Sequence, residues 1–202
     1  MQRYVYIVFS ATPYKIGKLI RTITKERYNH VSLALDRELE NMYSFARRYY
    51  HTPFYGGFVR ESRARYHLNG VPAQVKICRL AVSEKDFEDL AQRLRKMYER
   101  REDFLYNHIS VLTVPFRRLV HLKDAAICTE FVAGQLQELG MAVDSRRYYS
   151  VGALEQLLAD QTVYEGDAPK ALQEDPAFFA HHPVPYFTTA RTFGRLLQRL
   201  VK

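Results

Sequence analysis

Cys128 stands between the stretch Ala125-Ala126-Ile127 and an apolar-periodic segment that begins at Thr129. A cysteine at a helix start faces amide N–H groups and the positive end of the helix dipole. Both favour thiolate over thiol, and the same N–H groups can hold an oxyanion. The chemistry this suits is nucleophilic attack on a carbonyl carbon. A free cysteine can also be a small buried hydrophobe, and position alone does not decide between the two roles. A thiolate nucleophile needs an imidazole partner. Among the seven histidines, His30 opens an extended run whose same-face neighbours, Ser32 and Ala34, are small enough to let a helix end or a substrate approach the ring. His108 and His121 lie nearer to Cys128 in the chain, in segments without a legible pattern. His181 and His182 sit beside prolines and lack carboxylates at ligand spacing, so neither a metal nor another cofactor is expected. Cys78, inside Lys76-Ile77-Cys78-Arg79-Leu80, has no helix start beside it and reads as a packing residue.

These candidates need elements to position them. Residues 4–9 are β-branched and aromatic and predict a buried strand. Thr12 and Pro13 suit a helix cap and first position, with Ile16, Leu19, Ile20 and Ile23 at helical spacing behind them. Strands are expected over 30–35, 42–47 and 75–82, with a long loop over 48–74 that has room for short strand pieces. The clearest helix follows Ser83, whose stripe is Phe87, Leu90, Ala91, Leu94, Met97 and Tyr98. A second runs over 129–139 and is closed by Gly140, and a short third covers 151–158. Residues 104–122 give no readable structure, and 167–189 lose periodicity before a terminal amphipathic helix over 191–202. The irregular order of strands and helices, without internal repeats, indicates an α+β fold.

Three pieces taken together are more specific: Asn29-His30-Val31-Ser32-Leu33-Ala34-Leu35, Met42-Tyr43-Ser44-Phe45-Ala46-Arg47 and Cys128-Thr129-Glu130-Phe131-Val132-Ala133. In this order they resemble the circularly permuted branch of the NlpC-type papain-like superfamily, related to the lecithin:retinol acyltransferase-like proteins. There the histidine strand precedes the cysteine helix. Further similar pieces are Tyr55-Gly56-Gly57-Phe58-Val59-Arg60-Glu61, Phe104-Leu105-Tyr106-Asn107, and Tyr148–Leu158 followed by Val163-Tyr164-Glu165-Gly166. The resemblance spans residues 4–166. It implies a papain-like domain over 1–166, with a central antiparallel sheet packed against helices, and a C-terminal extension over 167–202. It also implies an acyl-transfer site in which Cys128 attacks, His30 serves as base and then acid, and a third polar group orients the imidazole. The matching strand offers Ser44 for that role. Serine is a weaker orienter than the groups such proteins more often use, and Glu61 is the reserve. A loop acid such as Glu61 is otherwise expected to be solvated. Tyr6 could line the site or pack in the core, and Glu130 favours the helix start electrostatically.

The chain has 202 residues, 47% of them hydrophobic, and carries 30 Lys and Arg against 22 Asp and Glu. That composition excludes a wholly disordered or collagen-like chain. Two cysteines exclude a disulfide framework, and no apolar run approaches the length of a membrane span, so a soluble, cytoplasmic protein is expected. The excess of eight positive charges favours anionic partners, but no nucleic-acid-binding motif accompanies it. Four basic residues, Arg191, Arg195, Arg199 and Lys202, fall in the terminal segment without an acid among them. That helix could dock on its own domain, lie on an anionic membrane, or pack into a partner. The function expected is a cysteine hydrolase or acyltransferase acting on an amide or ester, with a peptidoglycan-type peptide, another small amide or an acyl lipid as substrate. The alternatives are a catalytically weakened binding module of the same fold and a peripheral membrane or partner-binding protein using residues 191–202.

Overall fold

The computed structural model describes residues 2–171, 173–181 and 186–200, so His182 and the last two residues of the expected terminal helix lie outside the described residues. The elements run β1 (Gln2–Ala11), α1 (Lys15–Thr24), β2 (His30–Ala34), β3 (Met42–Arg47), β4 (Gly56–Glu61), β5 (His67–Leu68), β6 (Val71–Pro72), β7 (Gln74–Ser83) and α2 (Glu84–Glu99). They continue β8 (Leu105–Tyr106), α3 (His108–Thr113), β9 (Ala125–Ala126), α4 (Cys128–Glu138), α5 (Val151–Leu157), β10 (Thr162–Asp167), α6 (Pro176–Phe179) and α7 (Tyr186–Leu200). The chain is α+β. Its main sheet has the order β10-β7-β1-β2-β3-β4-β8-β9, antiparallel throughout except for the parallel pair β8 and β9.

β1 is buried on both faces, which is why its residues read as an unbroken apolar run. On one face Val5, Ile7 and Phe9 join Leu33, Phe45 and Phe58, and these are covered by Leu90 and Leu94 of α2 and by Phe131, Val132 and Leu136 of α4. On the other face Tyr6 and Val8 join Ala34, Met42, Val75 and Ile77 beneath Tyr66. Tyr6 is thus a core residue. Cys78 is fully buried, with its Sγ 3.8 Å from Thr162 Oγ1, and burial pushes its thiol pKa up.

Ser83 Oγ accepts from Asp86 N at 3.0 Å and starts α2 as its sequence predicts. α4 ends where Gly140 adopts φ +80°, with Met141 N donating to Leu136 O at 3.0 Å. One expectation is corrected, and two stretches left open take form. First, α1 starts at Lys15 with Tyr14 as its cap, because Thr12 Oγ1 accepts from Asn29 Nδ2 at 2.7 Å. The Leu19, Ile20 and Ile23 side of α1 faces outward instead of packing. Second, the strand pieces allowed within 48–74 are present, and β4 forms six paired residues with β3. Gly57 is needed there, because a Cβ would run into the Phe104 carbonyl. Third, residues 162–167 form edge strand β10 on β7.

The terminal helix begins at Tyr186 and docks on its own domain. Leu196 is fully buried with Leu105, Leu122 and Ala125, and Phe193 stacks on His108. Arg199 donates to Asp124 O and to Asp103 O, each at 2.9 Å. No helix among the described residues is long and apolar enough to cross a membrane.

Candidate active site

α4 packs against β2 and β3, and its first residue is Cys128. Its first helical hydrogen bond runs from Phe131 N to Ile127 O at 3.0 Å. The amides before it belong to the unpaired first turn. Glu130 turns back to accept from Ile127 N at 3.4 Å, and its other carboxylate oxygen meets His121 Nδ1 at 2.8 Å. With His121 Nε2 3.0 Å from Arg146 O, both nitrogens of that ring are engaged by groups other than Cys128. Burial raises the Glu130 pKa, partly offset by His121.

His30 opens β2, whose ladder with β3 holds only the pairs Leu33–Tyr43 and Ala34–Met42 and stops short of the histidine. His30 Nε2 lies 2.8 Å from Glu61 Oε1 and 3.2 Å from Ser32 Oγ. This leaves Nδ1 outside these contacts, and the Cys128 side chain is close enough to the ring to help raise its pKa. Both His30 and Cys128 line one cleft of about 210 Å³.

Glu61 is buried, at 4% exposure, yet fully provided with donors. Its Oε1 lies 3.1 Å from Ser32 Oγ as well as against His30, and its Oε2 accepts from Tyr66 Oη at 2.8 Å. Ser32 also lies 3.0 Å from Tyr66 Oη, which closes the cluster. Burial alone would raise the Glu61 pKa, but the His30 charge and hydrogen bond, with Arg65 and Tyr66, bring it down to about 2. For His30, burial would lower the pKa. The Glu61 charge and hydrogen bond, with the Cys128 side chain beside the ring, overcome that and lift it to about 10. The imidazolium–carboxylate pair is therefore the favoured state over the neutral pH range.

The structure brings Cys128, His30 and Glu61 together, and Ser44 is not part of the group. Continued along β2 and β3, the register puts Ser44 opposite Ser32, as strand parity predicts. Its hydroxyl nevertheless turns onto the backbone, 3.1 Å from Val31 O and 3.3 Å from Phe45 O. It satisfies a carbonyl where the ladder lapses. The position expected of Ser44 is filled by the reserve acid. Glu61 ends strand β4, and its partner Met42 is itself paired with Ala34 of the histidine strand. Sequence reading missed Tyr66 and Tyr106. Tyr66 is the only hydroxyl that holds Glu61 Oε2 among the described residues. Tyr106 lines the cleft, and burial, with Cys128 nearby, raises its pKa. His108 also lines the cleft, its Nε2 3.1 Å from Phe54 O, and burial lowers its pKa. No cluster of metal-ligating side chains exists among the described residues, and His181 stacks on His51 at 4.9 Å.

In comparisons with known proteins the chain matches no family model, no curated protein and no solved structure.

Proposed function

We propose that this protein is a cysteine hydrolase or acyltransferase of the permuted papain-like kind, acting on an amide or ester carbonyl. One observation carries the reading. A cysteine at a helix start shares one cleft with an imidazole whose Nε2 is held by a buried, fully ligated carboxylate. In the first step Cys128 Sγ bonds to the carbonyl carbon, and its proton resides on His30. The carbonyl π pair moves to oxygen, opposite the first-turn amides of α4. The tetrahedral intermediate then collapses. The bond to the leaving amine or alkoxide breaks, His30 gives that group the proton, and a thioester remains on Cys128. Water, or a second acceptor hydroxyl or amine, attacks the thioester with His30 as base and regenerates the thiol. Glu61 fixes the ring orientation and stabilises the imidazolium.

Iodoacetamide labelling of the intact chain at about pH 7, read by peptide mapping, tests the reading. Cys128 is expected to react at least about tenfold faster than Cys78, and His30→Ala to abolish the difference. Equal, slow labelling of both thiols overturns it.

A second observation favours an acyl lipid over a peptide as substrate. Two groups of apolar side chains are exposed: Leu19, Ile20 and Ile23 on α1, and Val111, Leu112 and Phe116 on α3 and the turn after it. Ile20 and Val111 also line the cleft. Lys15, Lys18, Arg117 and Arg118 stand beside these residues in the chain, a composition suited to an anionic lipid surface. Flotation with anionic vesicles tests this, with Leu112→Ser/Phe116→Ser expected to lose binding. Unchanged binding removes the reading.

A further inference from the structure

The cleft holds more positive charge than the thiol chemistry uses. Arg47, the last residue of β3, stacks 4.0 Å from the centroid of the Tyr14 ring and donates Nη1 to Tyr50 O at 3.0 Å. No carboxylate pairs with it among the described residues. A guanidinium has five N–H donors, so one backbone acceptor leaves others open to solvent or a ligand. Arg65 follows β4 in a single 3-10 turn over Arg63–Tyr66. It gives Nε to Asp175 Oδ2 at 2.8 Å and lies 4.3 Å from the centroid of Phe178, while its buried Nη1 has no partner. Both arginines line the same cleft as His30 and Cys128.

The neighbouring acids are already committed. Glu61 is held by His30, Ser32 and Tyr66. Asp175 is held by Arg65, by Ser62 Oγ at 2.8 Å and by Phe178 N at 3.1 Å. Burial lowers the Arg47 pKa and the nearby Arg65 lowers it further, so the two guanidinium groups repel one another in a partly desolvated place. Such a pair is stabilised by an anion with oxygens to share, and planar guanidinium recognises carboxylate and phosphate oxygens in fork geometry. Beside it the walls are apolar, made by Phe45, Phe54 and Phe178.

We infer that Arg47, with Arg65 beside it, binds an anionic group of the substrate, a carboxylate or a phosphate, carried next to an acyl or aryl portion. This rests on the cysteine-hydrolase reading of the same cleft. The site would select acidic esters or amides over neutral ones and place their carbonyl toward Cys128.

Saturation-transfer NMR titrations of the whole chain at constant ionic strength test this with benzoate, phenyl phosphate and the neutral benzyl alcohol. At least one anion is expected to bind about tenfold more tightly than benzyl alcohol, and Arg47→Gln to remove most of that preference. Arg65→Gln is the second variant, and Arg79→Gln, at an exposed position of β7, controls for net charge. Preference for benzoate alone identifies a carboxylate, and preference for phenyl phosphate alone a phosphate. Benzyl alcohol binding as well as both anions overturns the inference, as does an equal loss in Arg79→Gln. Selective anion binding with a slow-labelling Cys128 topples the hydrolase reading and leaves an anion-binding cleft. Fast labelling without anion preference topples only the arginine site.

Discussion

His30 and Glu61, 31 positions apart in the chain, meet through Nε2 and Oε1 at 2.8 Å, with Glu61 buried and His30 largely so. A buried acid with three donors serves best as a fixed negative charge. It sets which ring nitrogen faces the cysteine. Glu61→Gln keeps the shape and removes the charge, so the His30 ring should lose its proton several units below the native value of about 10. Burial alone drives the ring pKa downward. NMR titration of the His30 ring carbons checks this, and iodoacetamide labelling of Cys128 should slow by about tenfold or more. Ser44→Ala should leave both readings unchanged, since its hydroxyl contacts only backbone carbonyls. A Ser44→Ala effect as large as that of Glu61→Gln would return the orienting role to the serine.

The same pair makes stability depend on pH from both sides. His30 is raised from 6.5 to about 10, so its contribution is complete below about 6.5 and is lost as pH rises through about 10. Glu61 is lowered from 4.5 to about 2, so its contribution is complete above about 4.5 and is lost as pH falls through about 2. The pair therefore contributes fully between about 4.5 and 6.5. Urea midpoints should decline from neutral toward alkaline pH in the native chain and much less in His30→Gln/Glu61→Gln. Parallel profiles for the two proteins would show that the pair carries no such coupling.

Much of this arrangement is legible in the residues. His30, Ser32 and Ala34 on one face, and Cys128 before an apolar-periodic run capped by Gly140, are local patterns that survive into the fold. Glu61 is different. Its role depends on a strand formed by Gly56–Glu61, and two glycines argue locally for a loop. Only the pairing with β3, and the close passage of the Phe104 carbonyl over Gly57, turns that stretch into a sheet column beside the histidine. α1 errs the other way. Its apolar spacing is helical, but which way the stripe faces is a tertiary choice, and Leu19 and Ile23 lie outside the core. The docking of α7 likewise depends on a groove built by Leu105, Leu122 and Ala125, from segments with no pattern of their own.

Tyr66 holds the second oxygen of Glu61 from a buried position, and burial, together with the Glu61 charge, raises its pKa well above the ordinary phenol value. Its hydroxyl stays a donor throughout the working pH range. Tyr66→Phe preserves the packing and removes a hydrogen bond to a charged group, with an expected cost of about 1.5–3 kcal/mol. Chemical denaturation measures that cost. The His30 ring pKa in the variant should stay raised, because the charge of Glu61 remains. A collapse of the ring pKa would mean that Tyr66 keeps Glu61 ionised as well as placing it.

α7 sits on its own domain through one fully buried leucine and two arginine hydrogen bonds to loop carbonyls, from Arg199 to Asp103 and Asp124. Leu196→Ala should cost about 2–5 kcal/mol, because it opens a cavity against Leu105, Leu122 and Ala125. Arg199→Ala removes charge-assisted bonds on the exposed side and should cost less, about 1–2 kcal/mol. Hydrogen exchange distinguishes a docked helix from one held ready for a membrane. If docking is the helix's role, amides over 190–200 exchange slowly in the native chain, quickly in Leu196→Ala, and alike with and without anionic vesicles. Protection that rises only when vesicles are added would assign the basic face to lipid, and the buried Leu196 would then have to leave its groove on binding.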